Sequence, residues 1–268
     1  MKNHILLSLR FKVTSLSLLA AGILFCACTS NTNTAEPAAD APIEQTSNAS
    51  RVLVFSKTKG YFHESIPSGI AAVQKLGAEN DFQVDTTKDA SQFTADNLKK
   101  YQAIIFLSTT MDVLNGEQEK AMESYIRGGG GFVGVHAAAD TEYDWPWYNK
   151  LVGAYFKSHP NNPNVRKATV NVTDKSHPAT ANLPDKWERS DEWYNYKSIN
   201  PDLKVLASLD EKSYEGGENG DNHPIIWYHE YDGGRAFYTG GGHTKESFED
   251  PTFLQHLLGG IQYAMGGE

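Results

Sequence analysis

Cysteine is nearly absent: in 268 residues only Cys26 and Cys28 carry a thiol. From residue 29 onward the chain holds no disulfide within a domain, no cysteine-based zinc site and no thiol nucleophile. Basic residues are also scarce, 24 Lys and Arg against 33 Asp and Glu, with a formal net charge of −9 and a pI near 5.5. Neutralising phosphates takes clustered Lys and Arg, so no nucleic-acid partner is expected. The histidines form no HxxxH or HxH pair, and any metal site must be assembled from distant segments. No internal repeat is visible, and nothing between residues 51 and 266 reads as a linker. What the chain does have is apolar bulk. A 40% hydrophobic and 11% aromatic composition is too rich for disorder and fits one large globular domain.

The first residues read as an address. Lys2, Arg10 and Lys12 precede a mostly apolar stretch from Val13 to Ala27, of signal-peptide length and short for a bilayer span. Phe25-Cys26-Ala27-Cys28 resembles a lipobox, although Phe25 stands where Leu is usual, and Cys28 is the lipidation candidate. An ordinary cleaved signal peptide is the other reading. Residues 28–50 are rich in Thr, Ser, Asn, Ala and Pro without helix or strand period, as in a flexible tether. Removing residues 1–27 takes away three basic and no acidic residues, leaving 21 against 33 and a net charge of −12. Thr29 to Thr32 carries no acidic run of the kind that directs surface export. The expectation is an exported protein, lipid-anchored to a bacterial membrane and facing the periplasm, with the anchor its only membrane contact.

Residues 51–268 alternate strand and helix signals. Arg51–Ser56, Phe82–Asp85, Tyr101–Leu107 and Gly131–Ala137 are short apolar runs of buried-strand type. Between them lie a helix opened by Ile66-Pro67, a short helix over Phe93–Lys99 and a helix capped by Asn115 that ends at Arg127-Gly128. Later segments, 167–172, 187–196, 204–209, 224–231 and 235–238, are strand-like, and Pro251–Met265 is a closing helix. The pattern predicts an α/β domain with a doubly wound, mostly parallel, flavodoxin-like sheet and extra strands in the C-terminal half. Ligands bind such sheets beyond the carboxyl ends of the strands.

Gly134-Val135-His136-Ala137-Ala138 has the outline of a nucleophile elbow, with His136 where a hydrolase carries Ser or Cys. A buried, satisfied imidazole is the structural alternative. Elsewhere YFHES (61–65), GAYFKSHP (153–160), HPAT with LP (177–184), DEWYNY (191–196) and GGGHTKESF (240–248) stand as motif-like blocks beside FVGVHAAAD (132–140). Together, taken in chain order, they resemble the ThuA-like, or trehalose-utilisation, family over about residues 51–265. That resemblance implies a fold similar to class I glutamine amidotransferases without their cysteine. It also implies a role in sugar metabolism, where relatives accompany the processing of 3-keto disaccharides and glycosides.

The loop after the first strand and these blocks put Lys59, Phe62, His63, Asp140, His159 and Tyr194 forward as substrate-binding residues, and His136, Glu192 and His243 as catalytic ones. Neutral imidazoles with a carboxylate can hold zinc or another divalent metal, and can equally act as acid and base around a carbonyl. Glu192 is the favoured carboxylate for proton transfer, because a strand aims Glu192 and Tyr194 to one side. Asp191 reads either as a site residue or as a solvated strand-end charge. Trp145 or Trp147 suits the cleft, whereas His177, His223 and His256 read as structural. The expected function is an enzyme acting on keto-sugars or 3-keto-glycosides by acid–base hydrolysis, elimination or isomerisation. The alternatives are a non-catalytic carbohydrate-binding lipoprotein using the same cleft, and a degenerate amidotransferase-like interaction module.

Overall fold

The central strands of the parallel half of the sheet, Ala103–Leu107 and Gly131–Val135, are buried along their whole length. A computed structural model describes residues 50–267. The N-terminal address, Cys28 and the tether lie outside the described residues, apart from Ser50. Strands β1 (Ser50–Phe55), β2 (Phe82–Thr87), β3 (Ala103–Leu107), β4 (Gly131–Val135) and β11 (Gly234–Thr239) run parallel in the order β2-β1-β3-β4-β11. All five residues of β3 and of β4 are buried, which explains their unbroken apolar sequence. From β11 the same sheet continues antiparallel through β10 (His223–Tyr231), β9 (Lys204–Leu209), β6 (Val165–Val172) and β7 (Lys186–Glu192). The result is one mixed sheet of nine strands, parallel at one end and antiparallel at the other.

Local chemistry sets the helix ends. Pro67 opens α1 (Ile66–Glu79), whose buried Ile66, Gly69, Val73 and Leu76 recur at helical spacing. Asn115 caps α3 (Gly116–Arg127) through the backbone N–H groups of Glu117 and Gln118, and the Gln118 side chain returns to the Asn115 N–H. Between these lies α2 (Ala95–Leu98), shorter than the sequence signal, while Pro251 opens α5 (Pro251–Ala264). Gly131 permits α5 to close on the sheet, since a Cβ there would meet the Ala264 carbonyl oxygen at 2.1 Å.

Three expectations change. The fourth strand ends at Val135, and a 3₁₀ turn (His136–Asp140) begins where the strand was expected to continue. The expected strand over 187–196 divides into β7 and β8 (Asn195–Lys197), and β8 pairs with β5 (Tyr155–Ser158) in a separate two-stranded sheet. Helix α4 (Pro146–Val152) and β5 carry no clear period and were not anticipated. Among the described residues, no helix is long and apolar enough to cross a membrane.

Candidate active site

His136 occupies the sharp turn at the carboxyl end of β4. Its φ of +47° is the left-handed conformation that side chains other than glycine rarely adopt, and its imidazole is fully buried. The ring is fixed from both sides. Nδ1 bonds the Gly240 carbonyl oxygen at 3.1 Å, and because a carbonyl only accepts, the proton sits on Nδ1. In the neutral ring Nε2 then offers a lone pair, which faces His243 Nδ1 at 3.2 Å and Glu192 Oε2 at 3.3 Å. His243 Nδ1 approaches the same Glu192 oxygen at 3.0 Å.

Three elements distant in sequence supply these groups. Glu192 ends β7, the outermost strand of the antiparallel half, yet its carboxylate stands beside the end of β4. His243 follows β11 on the Gly240–Gly242 turn. His63 comes from the loop before α1; its ring meets those of His136 and His243 edge-on, with centroids 4.8 and 5.1 Å away. Burial, reinforced by the His136 and His243 imidazoles, pushes His63 down to about 2, so it is neutral near pH 7. Burial by itself would raise Glu192. The neighbouring His136 and His243 imidazoles outweigh it and hold the carboxyl well below the usual range.

Asp191, beside Glu192, is no solvated charge. It is fully buried and gathers the loop that carries His243: Oδ1 accepts the N–H of Glu192 (3.0 Å) and of His243 (3.0 Å). Oδ2 accepts from the Gly242 N–H (2.8 Å), Arg189 (2.9 Å) and the Ser247 hydroxyl (3.0 Å). Asn164, which no motif singled out, donates to Glu192 Oε1 at 2.8 Å.

The other expected residues divide. His159 brings Nε2 to 3.7 Å from Glu192 Oε1, and the Tyr194 ring lies 4.3 Å from that of His136. Asp140 closes the turn that His136 opens, and accepts from the Tyr143 hydroxyl. Burial pushes its carboxyl up, although the Tyr143 bond works the other way. Phe62 is exposed on the rim, and Lys59 stands apart from the imidazoles, pairing with Asp112 at 3.7 Å. Trp145 donates to Glu123 and stacks on Trp147, whose indole N–H reaches Asp232. His177, His223 and His256 are buried and bonded to backbone groups.

A divalent cation fits this donor set. His63, His136, Glu192 and His243 each offer one atom, all within 4.8 Å of one another. Ligands about 2.0–2.1 Å from a tetrahedral zinc lie roughly 3.3 Å apart. The His136, His243 and Glu192 atoms are separated by 3.0–3.3 Å. His63 Nδ1 is buried without a hydrogen-bond partner, the kind of atom a ligand or ion would satisfy.

A strand-end histidine turn in a mixed α/β sheet, facing imidazoles and a carboxylate from later segments, defines the protein class, and comparison with known proteins gives the family. The profile of the ThuA family, described as trehalose utilisation, matches residues 51–264, and the chain belongs to that family. A putative ThuA-like protein from Bacteroides uniformis is 27% identical with a TM-score of 0.67, over 86% of this chain and 95% of that one. One from Parabacteroides merdae is 22% identical with a TM-score of 0.65, over 82% and 91%. A β-galactosidase from Bacillus circulans sp. alkalophilus shares the fold alone, at 13% identity and TM-score 0.54, over 82% of this chain and 32% of that one. No functionally curated protein matches the chain.

Proposed function

We propose that the chain is an enzyme of carbohydrate metabolism that acts on a keto-sugar or 3-keto-glycoside by acid–base chemistry. The observation that carries this reading is the meeting of three imidazoles and a carboxylate within 4.8 Å at the carboxyl ends of the parallel strands. Membership of a trehalose-utilisation family supports a sugar as the substrate.

The same four residues are proposed to hold a divalent cation such as zinc. When bound, such a cation polarises a ketone oxygen and stabilises negative charge developing there. His136 contributes its Nε2 lone pair, His63 a neutral ring and Glu192 the compensating charge.

A ketone at C3 of a glycoside acidifies the neighbouring C2–H. Glu192, held ionised by two imidazoles, is a poor proton acceptor, because basicity falls with pKa. Asp140 is the better base, since burial raises it, and the two carboxylates are pushed in opposite directions. Removing the C2 proton to Asp140 places the electron pair in an enolate across C2, C3 and the ketone oxygen. The pair then forms the C1–C2 double bond as the bond from C1 to the glycosidic oxygen breaks, and that oxygen takes the proton from Asp140. Addition of water across the double bond, hydroxyl to C1 and hydrogen to C2, completes hydrolysis. A free keto-sugar would instead isomerise through the same enolate.

Incubating the chain with 3-keto-trehalose and 3-keto-glucosides tests the proposal, with release of the second ring as the expected result. Absence of any product, together with sugar-dependent protection against heat, would favour the non-catalytic binding reading. Export and anchoring through Cys28 are part of the proposal: Cys28→Ser should move the protein from the membrane to the soluble fraction, and unchanged membrane association would refute the anchor.

A further inference from the structure

Of the five large apolar side chains exposed among the described residues, the three most exposed stand on loops beside this site. Tyr61, Phe62 and Met111 are 62%, 47% and 43% exposed. They stand on two adjoining loops, after β1 and after β3, and the loops are tied together. Lys59 N–H donates to the Thr110 carbonyl at 3.0 Å, Gly60 N–H to the Thr110 hydroxyl at 3.1 Å, and that hydroxyl to the Tyr61 carbonyl at 3.1 Å. Met111 N–H in turn donates to the Asp140 carbonyl at 2.7 Å, which joins the rim to the His136 turn. Met111 lies against Gly60, where a Cβ would come within 2.8 Å of its Cγ. The Tyr61 ring meets His63 edge-on at 4.8 Å.

The rim is therefore pinned by backbone bonds and begins one ring away from the imidazole centre. An apolar platform held open to water marks a surface that binds something. A substrate whose reacting ring sits at the centre projects its glycosidic substituent outward, and the C–H face of a second ring is of a size and polarity to cover Tyr61 and Met111. Beyond Met111 a cleft lined by Tyr143, Asp144 and Asn115 offers a hydroxyl, a carboxylate and an amide to hydroxyl groups.

We propose that Tyr61, Phe62 and Met111 form the leaving-group subsite that holds the second sugar ring. The assignment rests on the catalytic reading above and deepens it. On the full-length chain carrying Asp140→Asn, calorimetry compares methyl 3-keto-glucoside with 3-keto-trehalose, before and after Tyr61→Ala or Met111→Ala. The two-ring ligand should bind about tenfold tighter, and either rim variant should erase that gain while leaving the methyl glycoside within about twofold, as loss of one ring-face contact implies. Equal affinity for both ligands, or a gain that survives both rim variants, overturns the subsite. Self-association of the chain that Tyr61→Ala abolishes without changing either affinity overturns it in favour of a protein contact. Turnover by the unsubstituted chain is read separately: its absence alongside retained discrimination refutes the catalytic reading and leaves the subsite standing.

Discussion

Asp191 Oδ1 accepts the backbone N–H of His243 at 3.0 Å, which ties the end of β7 to the loop after β11. The next residue, Glu192, meets the same histidine through its side chain at 3.0 Å. One dipeptide thus sets the loop backbone with its first carboxylate and faces the imidazole with its second.

Removing the first carboxylate strips several donors of their acceptor and takes from buried Arg189 its ion-pair partner. Asp191→Ala should cost about 3–5 kcal/mol of stability, as for a broken buried ion pair. Urea denaturation monitored by tryptophan fluorescence checks this, and a loss below about 1 kcal/mol would show that the clamp is dispensable.

Zinc titration of the chelator-treated chain should saturate at one ion per chain, and Glu192→Gln and His63→Ala should each weaken it. Asn164→Ala, which frees Glu192 Oε1, should lower zinc affinity about 10–100-fold, the usual effect of losing a partner that orients a ligand. Calorimetry and elemental analysis read both. Full affinity in Glu192→Gln would remove the carboxylate from the ligand set.

Asp140→Asn keeps an acceptor for the Tyr143 hydroxyl but cannot take a proton. Turnover of a 3-keto-glycoside should fall about 10²–10⁴-fold with zinc stoichiometry unchanged. Undiminished kcat would return the base role to another group.

Acid should destabilise the fold early. Burial pushes His177 down to about 4 and His256 to about 3, against 6.5 for an unperturbed histidine. Between pH 6.5 and 4 the unfolded chain binds these protons and the folded chain does not, so stability falls as pH falls. Each group contributes a slope of up to about 1.4 kcal/mol per pH unit. His256→Gln keeps a donor for the Ala179 carbonyl and should flatten the slope in denaturant melts at several pH values. An unchanged slope would contradict this origin.

Much of the parallel half was legible, because Val52–Phe55 and Ile104–Leu107 are buried throughout and read as continuous apolar runs. The turn at His136 was legible too, from the small residues around it. What could not be read was the fold-back that brings Glu192 to β4. It depends on pairing among β9, β6 and β7, and their intermediate burial blurs the two-residue period. Asp191 was ambiguous because an acidic residue at a strand end has the same sequence signature whether it meets water or five donors. Asn164 gave no signal, since its only mark is a neighbouring Pro163. The segment holding α4 and β5 is interrupted by Pro146 and Gly153 and crowded with aromatics, so neither period emerges.

The most direct measurement is NMR of a 3-keto-glycoside turned over by the zinc-loaded chain in D₂O. Proton removal at C2 predicts product with deuterium at C2, formed by the unsubstituted chain and lost in Asp140→Asn. Product that keeps its original hydrogen at C2 would contradict acid–base opening of the glycosidic bond.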